Sequence, residues 1–467
     1  MPPSVALLVW LVLLLGLLRY DPAKESRTSL ALWVPLIWMF ILGSRLPSQW
    51  LGGQFGVATQ SIEEGNPLDR SIFALLILVG LAIVMSRPFK WNAFFARNLV
   101  LMAFLFFALT SVLWSDFPFV SFKRWFRDFG DYPAVLVVLS DPNPLEAFRT
   151  LLRRLCFLLI PLSVLVVKYF PAIGKQYEIW SGSSMFVGAT TSKNMLGVVC
   201  LISGLFFFWD TAARWSDRKD QRTKRILAIN LALIAMTLWL LNLANSATSR
   251  VCLVLGCLVI AAAHTRTIKR SPILLKILIP MSFAGYVLLE TVFDINAGLA
   301  GAVGRNSTLT GRTDLWKLLL SMHTNPLIGT GYESFWLGSR LQWVYDRFAF
   351  VNEAHNGYLE VYLNLGLIGL FLLGAFLIAS YRSIGRGLTS RSSLAPLSLA
   401  LWTALLFYNV TEAAFKSSHL MWVTFLLAAI AVPGSAIDRA GNAAVIGSTA
   451  APERFRTLPL EPTGVRG

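Results

Sequence analysis

The chain has 467 residues, of which 55% are hydrophobic and 14% charged, and a formal net charge of +16. Apolar runs of roughly 15–20 residues recur from end to end, long enough to cross a hydrocarbon core, which excludes a water-soluble fold built on two-faced helices. The positive charge does not indicate a nucleic-acid binder, because the basic residues are spread over short loops and no zinc-finger, RNA-binding or basic-zipper pattern is present.

The first apolar run, Val5 to Leu18, has neither a basic leader nor a small-residue cleavage site, so a retained span is expected. Further spans are predicted at 30–43, 71–86, 98–114, 132–140, 155–170, 192–209, 226–244, 250–263, 273–289, 356–380, 395–410 and 419–433. That makes an all-α polytopic membrane protein with 12–13 transmembrane helices, twelve if the short run Tyr132–Ser140 does not cross. Cys156, Cys200, Cys252 and Cys257 lie inside apolar runs and read as small core residues, neither a disulfide frame nor a metal site. Alternate loops are dense in arginine and lysine, for example Arg87/Lys90/Arg97, Arg149/Arg153/Arg154 and Arg382/Arg386/Arg391. Positive charge marks the cytoplasmic side, so the C-terminus is expected inside. On this reading residues 1–289 hold the first ten spans, 290–354 form one long periplasmic loop, 355–433 hold the last three spans, and 434–467 are a disordered cytoplasmic tail.

The loop between the tenth and eleventh spans is too long for a simple connection and too aromatic for a solvated linker, with Trp316, Phe335, Trp336, Trp343, Tyr345, Phe348 and Phe350. An amphipathic helix is predicted over Thr310–Met322, carrying Leu315, Leu318, Leu319 and Met322 on one side, stopped by Asn325-Pro326 and able to lie on the membrane surface. His355 and Asn356 stand where this loop ends and the next span begins. Arg250, Arg305, Arg312, Lys193-Asn194 and the group Lys123, Arg124 and Arg127 share the same expected face. Arginine's planar fork suits a diphosphate, and a neutral histidine can take a proton from a sugar hydroxyl.

Structural readings compete with the chemical ones. An interfacial arginine commonly extends to the headgroups, as Lys123, Arg124 and Arg127 can. Lys317 fits the polar face of its helix, Gly366-x-x-Gly369 fits close helix packing, and Gly329-Thr330-Gly331 fits a turn as well as a phosphate cradle. Glu360 and Asn364, one turn apart inside a span, are expected to orient His355 from below. No paired acids for a nucleotide-sugar metal, no Walker motif and no nucleophile elbow occur, and the loop acids Asp294, Asp314, Glu333, Asp346 and Glu353 are not at ligand spacing. Metal-independent chemistry without a cofactor is expected.

The pattern H-N-x9-G-x-x-G from His355 to Gly369 resembles the signature of the bacterial O-antigen ligase and polymerase superfamily. T-L-T-G-R-T-D-L-W-K from Thr308, N-P-L-I-G-T-G-Y-E-S-F-W, S-K-N-M-L-G at 192–197 and Y-N-V-T-E at 408–412 resemble its exopolysaccharide-polymerase branch, whose best-known member polymerises succinoglycan. The resemblance implies a fold like the GT-C glycosyltransferases and a multi-pass protein of the bacterial inner membrane. It implies an undecaprenyl-diphosphate-linked oligosaccharide as donor and transfer on the periplasmic face. Membrane lipids and a chain-length regulator would be its partners, and nucleic acid would not. By motif position Arg312 corresponds to the loop arginine that binds diphosphate, Arg250 to the arginine opening an R-x3-L motif, and His355 to the base or acceptor-positioning residue. Arg250 departs from that motif, since Val254 stands where leucine is expected. Arg305, Asn356, Lys193 and Arg124 are carried as candidate substrate-binding residues. A ligase that moves finished glycan onto lipid A-core or protein is the alternative within the family, and a polysaccharide flippase the alternative outside it.

Overall fold

The computed structural model describes residues 1–20, 28–52, 65–177, 182, 184–293, 308–348, 351–416 and 418–431. The longer helices run in chain order as α1 Pro3–Arg19, α2 Trp33–Gly43, α3 Pro67–Ser86, α4 Leu99–Thr110, α5 Pro118–Phe129, α6 Asp131–Leu139, α7 Pro144–Tyr169, α8 Lys193–Arg214, α9 Gln221–Ala244 and α10 Ala247–His264. They continue as α11 Ile273–Phe293, α12 Thr308–Ser321, α13 Gly338–Phe348, α14 Gly357–Thr389, α15 Ala395–Thr411 and α16 Leu420–Ala429. Strand occurs, among the described residues, as one short hairpin pairing Lys175–Tyr177 with Ser184–Phe186.

Seven helices are long and apolar enough to cross a membrane, and the pair Trp91–Arg97 and Leu99–Trp114, bent by 84°, can be counted as an eighth. Pro3–Arg19, Leu30–Gly43, Ala395–Thr411 and Leu420–Ala429 are shorter apolar helices. The chain is a polytopic, almost wholly helical membrane protein, as its apolar runs required. The doubtful fifth run forms α6, nine residues long and buried at every position. At roughly 1.5 Å per residue it is far too short to face lipid over a full bilayer. It is fixed at both of its own ends: Asp131 at its start accepts from Ser418 N, while Ser140 just past its end accepts from Arg87, which follows α3. Surrounding protein replaces the lipid that a longer helix would meet.

Close packing sets the centre. Gly197 of α8 lies against Ser246 and Ser249 at the start of α10, which brings those two helix N-termini together. Trp38, Trp209, Trp422, Phe148, Phe157 and Phe206 fill the interior. A second buried ionic group lies at the other end of α8, where Asp210 accepts from Arg153 at 2.7 Å, from Arg214 at 3.1 Å and from Asn230 at 2.9 Å. Each partner there is satisfied from within the protein, so that group ties α7, α8 and α9 together.

The long loop is a structured cap. Helix α12 forms where the alternation predicted it, but Leu315 and Leu319 are buried against Phe335, Trp336, Leu341, Val344 and Leu363 instead of lying on lipid. The rest of the loop, including the unforeseen helix α13, supplies an apolar partner for α12, which removes the reason to lie on the membrane surface. Lys317 is exposed, on the polar face as expected.

Candidate functional site

The H-N-x9-G spacing has a concrete geometry. Helix α14 breaks at Gly366, whose φ of 64° lies in the left-handed region. The segment Pro326–Gly331 is inserted at that break. Leu367 N and Ile368 N donate to the carbonyls of Pro326 and Leu327, while Thr330 N and Gly331 N donate to the carbonyls of Leu363 and Asn364. A Cβ on Gly366 would overlap the Leu327 carbonyl. The turn Gly329-Thr330-Gly331 therefore spends two of its N–H groups on α14 and is no phosphate cradle. Asn364 accepts from Phe335 N at 3.1 Å, and Glu360 accepts from Trp336 Nε1 at 2.8 Å and from Ala354 N at 2.5 Å. Glu360 thus acts on the backbone next to His355, not on its ring.

His355 is held in an uncommon conformation, with φ of 50°. The neighbouring residues enforce it. Ala354 is tied through its N–H to Glu360 and through its carbonyl to Trp316 Nε1 at 2.7 Å. Asn356 caps α14, accepting from Leu359 N at 3.0 Å and donating to Val410 O at 3.2 Å. Gly357 N donates to the Glu412 carbonyl at 3.0 Å, and a Cβ there would overlap Asn409 Oδ1. That Asn409 oxygen accepts from Ala414 N and Phe415 N, so the loops on either side of α14 and α15 are stapled to each other.

The staple assembles an ionic cluster. Glu412 is buried, and its Oε1 lies 3.1 Å from Arg312 while its Oε2 accepts from Asn194 at 3.0 Å and lies 3.4 Å from His355 Nδ1. Arg312 also donates to the Thr411 carbonyl. Glu353 lies 3.1 Å from His355 Nδ1 through one oxygen and 2.9 Å from Lys416 Nζ through the other. Neither carboxylate meets the imidazole with hydrogen-bond alignment, so these two contacts are electrostatic. The side chains of Arg312 and His355 keep 23% and 28% of their exposure, enough to meet a ligand.

The charges set the protonation state. Burial acts to lower the His355 pKa, but Glu353 and Glu412 outweigh it and push it up to about 9. The expectation of a neutral imidazole at ordinary pH is therefore corrected: with two carboxylates beside it, the resting ring is an imidazolium. Burial works to raise Glu353, yet Lys416 and His355 hold it well below the usual carboxylate range. Lys416 is lowered by burial but raised by more through Glu353, Glu360 and Glu333.

Three further candidates, Arg250, Lys193 and Arg124, lie among the described residues. Arg250 is in the first turn of α10, where its guanidinium donates to Asn242 O at 3.0 Å. Two residues earlier, the Thr248 hydroxyl lies 2.7 Å from that of Thr411, next to Glu412. Lys193 is exposed at the first position of α8, beside Asn194. Arg124 of α5 donates to the Glu333 carbonyl at 2.5 Å. Arg305 lies outside the described residues, as do Phe350 and the tail from 434. Sequence reasoning missed Glu412 and Lys416. Y-N-V-T-E was visible as a motif, but nothing in its spacing showed that its last residue reaches Arg312, a hundred positions away.

In sequence Glu353 is not at ligand spacing. In space, Glu353, His355 and Glu412 offer atoms within 4.8 Å of one another, a group that could hold a metal ion. Each carboxylate also has a cation beside it, Lys416 at 2.9 Å from Glu353 and Arg312 at 3.1 Å from Glu412.

The family described as O-Antigen ligase matches residues 231–374, from α9 through the loop to the middle of α14. A curated relative, the exopolysaccharide production protein ExoQ of Rhizobium meliloti (strain 1021), is 27% identical over 296 residues. That match covers 62% of this chain and 65% of the relative, so the chain spans just under two thirds of the relative's length. With its bundle of apolar helices and its capped histidine motif, the chain is a multi-pass membrane protein that carries a region matching the O-antigen ligase family and is similar to an exopolysaccharide production protein.

Proposed function

We propose that this protein is an inner-membrane glycan polymerase that transfers an undecaprenyl-diphosphate-linked chain to a sugar hydroxyl of another lipid-linked repeat on the periplasmic face. The observation that carries the reading is the convergence of Arg312 and His355 on the two oxygens of Glu412 beneath the loop cap. In the reaction the acceptor oxygen bonds to the anomeric carbon as the bond to the diphosphate oxygen breaks. The bonding pair leaves on the diphosphate, whose charge is met by Arg312, with Arg250 and Arg305 as further cations. The hydroxyl proton passes to Nε2 of the neutral His355 imidazole, the form left once the resting imidazolium has released its proton to solvent. Nδ1 faces Glu353 and Glu412, which stabilise the imidazolium that forms. The transition state is oxocarbenium-like, and without a covalent intermediate the anomeric centre inverts.

The test is His355→Ala and Arg312→Ala in the intact organism. Each is expected to abolish high-mass polymer while unpolymerised lipid-linked repeats accumulate, and full-length polymer from either variant would overturn the assignment. The family description, O-Antigen ligase, favours a second reading in which the same residues move finished glycan onto a lipid or protein acceptor. Free, unattached polymer in a deletion strain would select it.

A further inference from the structure

Helix α5 has two unlike faces. Ser121, Arg124 and Asp128 turn towards the protein, and Ser121 and Asp128 are buried. The Ser121 hydroxyl lies 2.7 Å from that of Ser115, and Arg124 donates to the Glu333 carbonyl. Asp128 accepts from Tyr332 OH at 3.0 Å and from Ser418 Oγ at 2.6 Å. The opposite face carries Phe119, Phe122 and Phe126, which are 73%, 46% and 41% exposed. Their spacing of three and four positions sets the rings in one stripe. Large aromatic side chains are costly to leave in water, and among the described residues nothing covers these three.

The helix lies where the chain leaves the bundle. The segment before it, Leu99–Trp114, starts at an 84° bend. It is roughly 26 Å long at helical rise, close to the thickness of a hydrocarbon core. Helix α5 follows directly and packs against the end of that segment and against α3. Three consecutive residues of the cap run along it. A Cβ on Gly331 would meet Ser115 at 2.7 Å, Tyr332 OH reaches Asp128, and the Glu333 carbonyl meets Arg124. The cap thus holds α5 across the end of the bundle, and the chain turns inward only at Gly130, where a Cβ would overlap the Trp38 ring.

The stripe continues surface that already faces lipid. Leu113, in the last turn before α5, and Leu75 and Leu78 of the α3 span are exposed. Cations edge the stripe. Lys123 Nζ is 4.9 Å from the centre of the Phe119 ring, and Arg127, paired with Asp128 at 2.8 Å, keeps 45% of its side-chain exposure. Aromatic rings flanked by cations match the boundary between acyl chains and phosphates. A second copy of the chain docked face to face would instead set these cations against their own equivalents.

We propose that α5 is an in-plane interfacial helix, with Phe119, Phe122 and Phe126 seated among the phospholipid acyl chains of the leaflet on the cap side and Lys123 and Arg127 at the phosphates. Its inward face ties this anchor to the site: Ser418, bound to Asp128, comes two residues after Lys416, which lies 2.9 Å from Glu353. The placement is independent of the glycan chemistry.

The experiment is photocrosslinking of the full-length protein in vesicles of phosphatidylethanolamine and phosphatidylglycerol, read by mass spectrometry. The photoreactive p-benzoylphenylalanine is placed at Phe122, at Phe126 or, as the control, at Gln342 on the exposed face of α13. Illumination is expected to add the mass of one phospholipid at Phe122 and at Phe126, with a yield roughly tenfold lower at Gln342. Fragmentation should place the new bond on the glycerol-proximal half of an acyl chain. If the protein altered at Phe122 does not fold, the one altered at Phe126 gives the same readout. A crosslinked dimer would assign the stripe to a second copy, and a lipid yield no higher than at Gln342 would assign it to water. A bond at the end of an acyl chain would place α5 deep in the hydrocarbon. Any of the three overturns the proposal.

Discussion

If His355 is the base, the reaction must speed up as the medium becomes more alkaline. The imidazole titrates at about 9, compared with an ordinary value near 6.5, because Glu353 and Glu412 face its Nδ1 at 3.1 and 3.4 Å. At pH 7 the proton-accepting form is then roughly 1% of the protein, and it reaches half near pH 9. Turnover at saturating donor should therefore climb about tenfold per pH unit from pH 6 and level off above 9. Lys416 is raised and Glu353 held low, so neither changes charge across that rise. Replacing Glu412 by Gln removes one of the two facing carboxylates, and an opposite charge at this range is worth about 1–3 pKa units. The midpoint should fall to about 8 or below, while the absolute rate drops because Arg312 loses its partner. The assay is polymer formation from isolated lipid-linked repeats by purified protein in vesicles buffered from pH 6 to 10, with the midpoint as the readout. A rate that falls as pH passes 9, or a midpoint that Glu412→Gln leaves in place, would refute the base assignment and make the imidazolium the working form.

The same shift has a consequence for stability. His355 binds its proton more tightly folded than unfolded, so its contribution is fully present below pH 6.5 and is lost as pH rises through about 9. The melting temperature of the purified protein should fall over that window, and His355→Ala should flatten the fall. Gly366→Ala should cost about 1–3 kcal/mol, because a left-handed φ and the Leu327 carbonyl both oppose a Cβ, and a thermal melt unchanged from wild type would contradict the inserted segment. Trp336→Phe removes the donor to buried Glu360 and should cost about 1–3 kcal/mol, read by the same melt. Dialysis against a chelator should leave polymer formation intact, since Lys416 and Arg312 already stand beside Glu353 and Glu412. Loss of activity restored by one added divalent ion would instead assign those carboxylates and His355 as ligands.

The sequence made the spans legible because hydrocarbon demands long apolar runs, and nearly every such run became a helix. Helix α12 was legible for the same kind of reason, a one-sided leucine pattern closed by Asn325-Pro326. Its docking surface was not, because the partners in α13 and at Phe335 and Trp336 carry no helical period that points back to it. At the site, His355 and Arg312 stood out as rare or conspicuous side chains in a polar loop. Glu412 did not, since a single acid at the end of an apolar span looks like an ordinary interfacial residue until Arg312, Asn194 and His355 are seen around it. The protonation of His355 was likewise beyond reach, because it depends on two carboxylates separated from each other by 59 positions.

The break in α14 and the cap are parts of a single construction. A continuous helix from Asn356 onward would have no free carbonyls at Leu363 and Asn364 and no free N–H groups at Leu367 and Ile368. The left-handed turn at Gly366 releases all four, and Pro326–Gly331 takes them up. That anchors the C-terminal half of the loop to the span that begins with the histidine. Trp114 Nε1 donates to Ile328 O, and Ser111 accepts from Tyr332 N, so the same segment is also fastened to the end of α4. With one end of the cap fixed in this way, α12 can lean on Leu363 and Ala354, which places Arg312 over Glu412. The ten-residue interval between Asn356 and Gly366 is thus the distance along α14 from its cap to the point where the loop is anchored. Lengthening it by one residue would rotate the break by about 100° around the helix and move the anchoring carbonyls away from the loop. A single alanine inserted after Val361 is therefore expected to lower the melting temperature and abolish polymer together. An insertion variant that kept both would show that the interval does not couple the cap to the site.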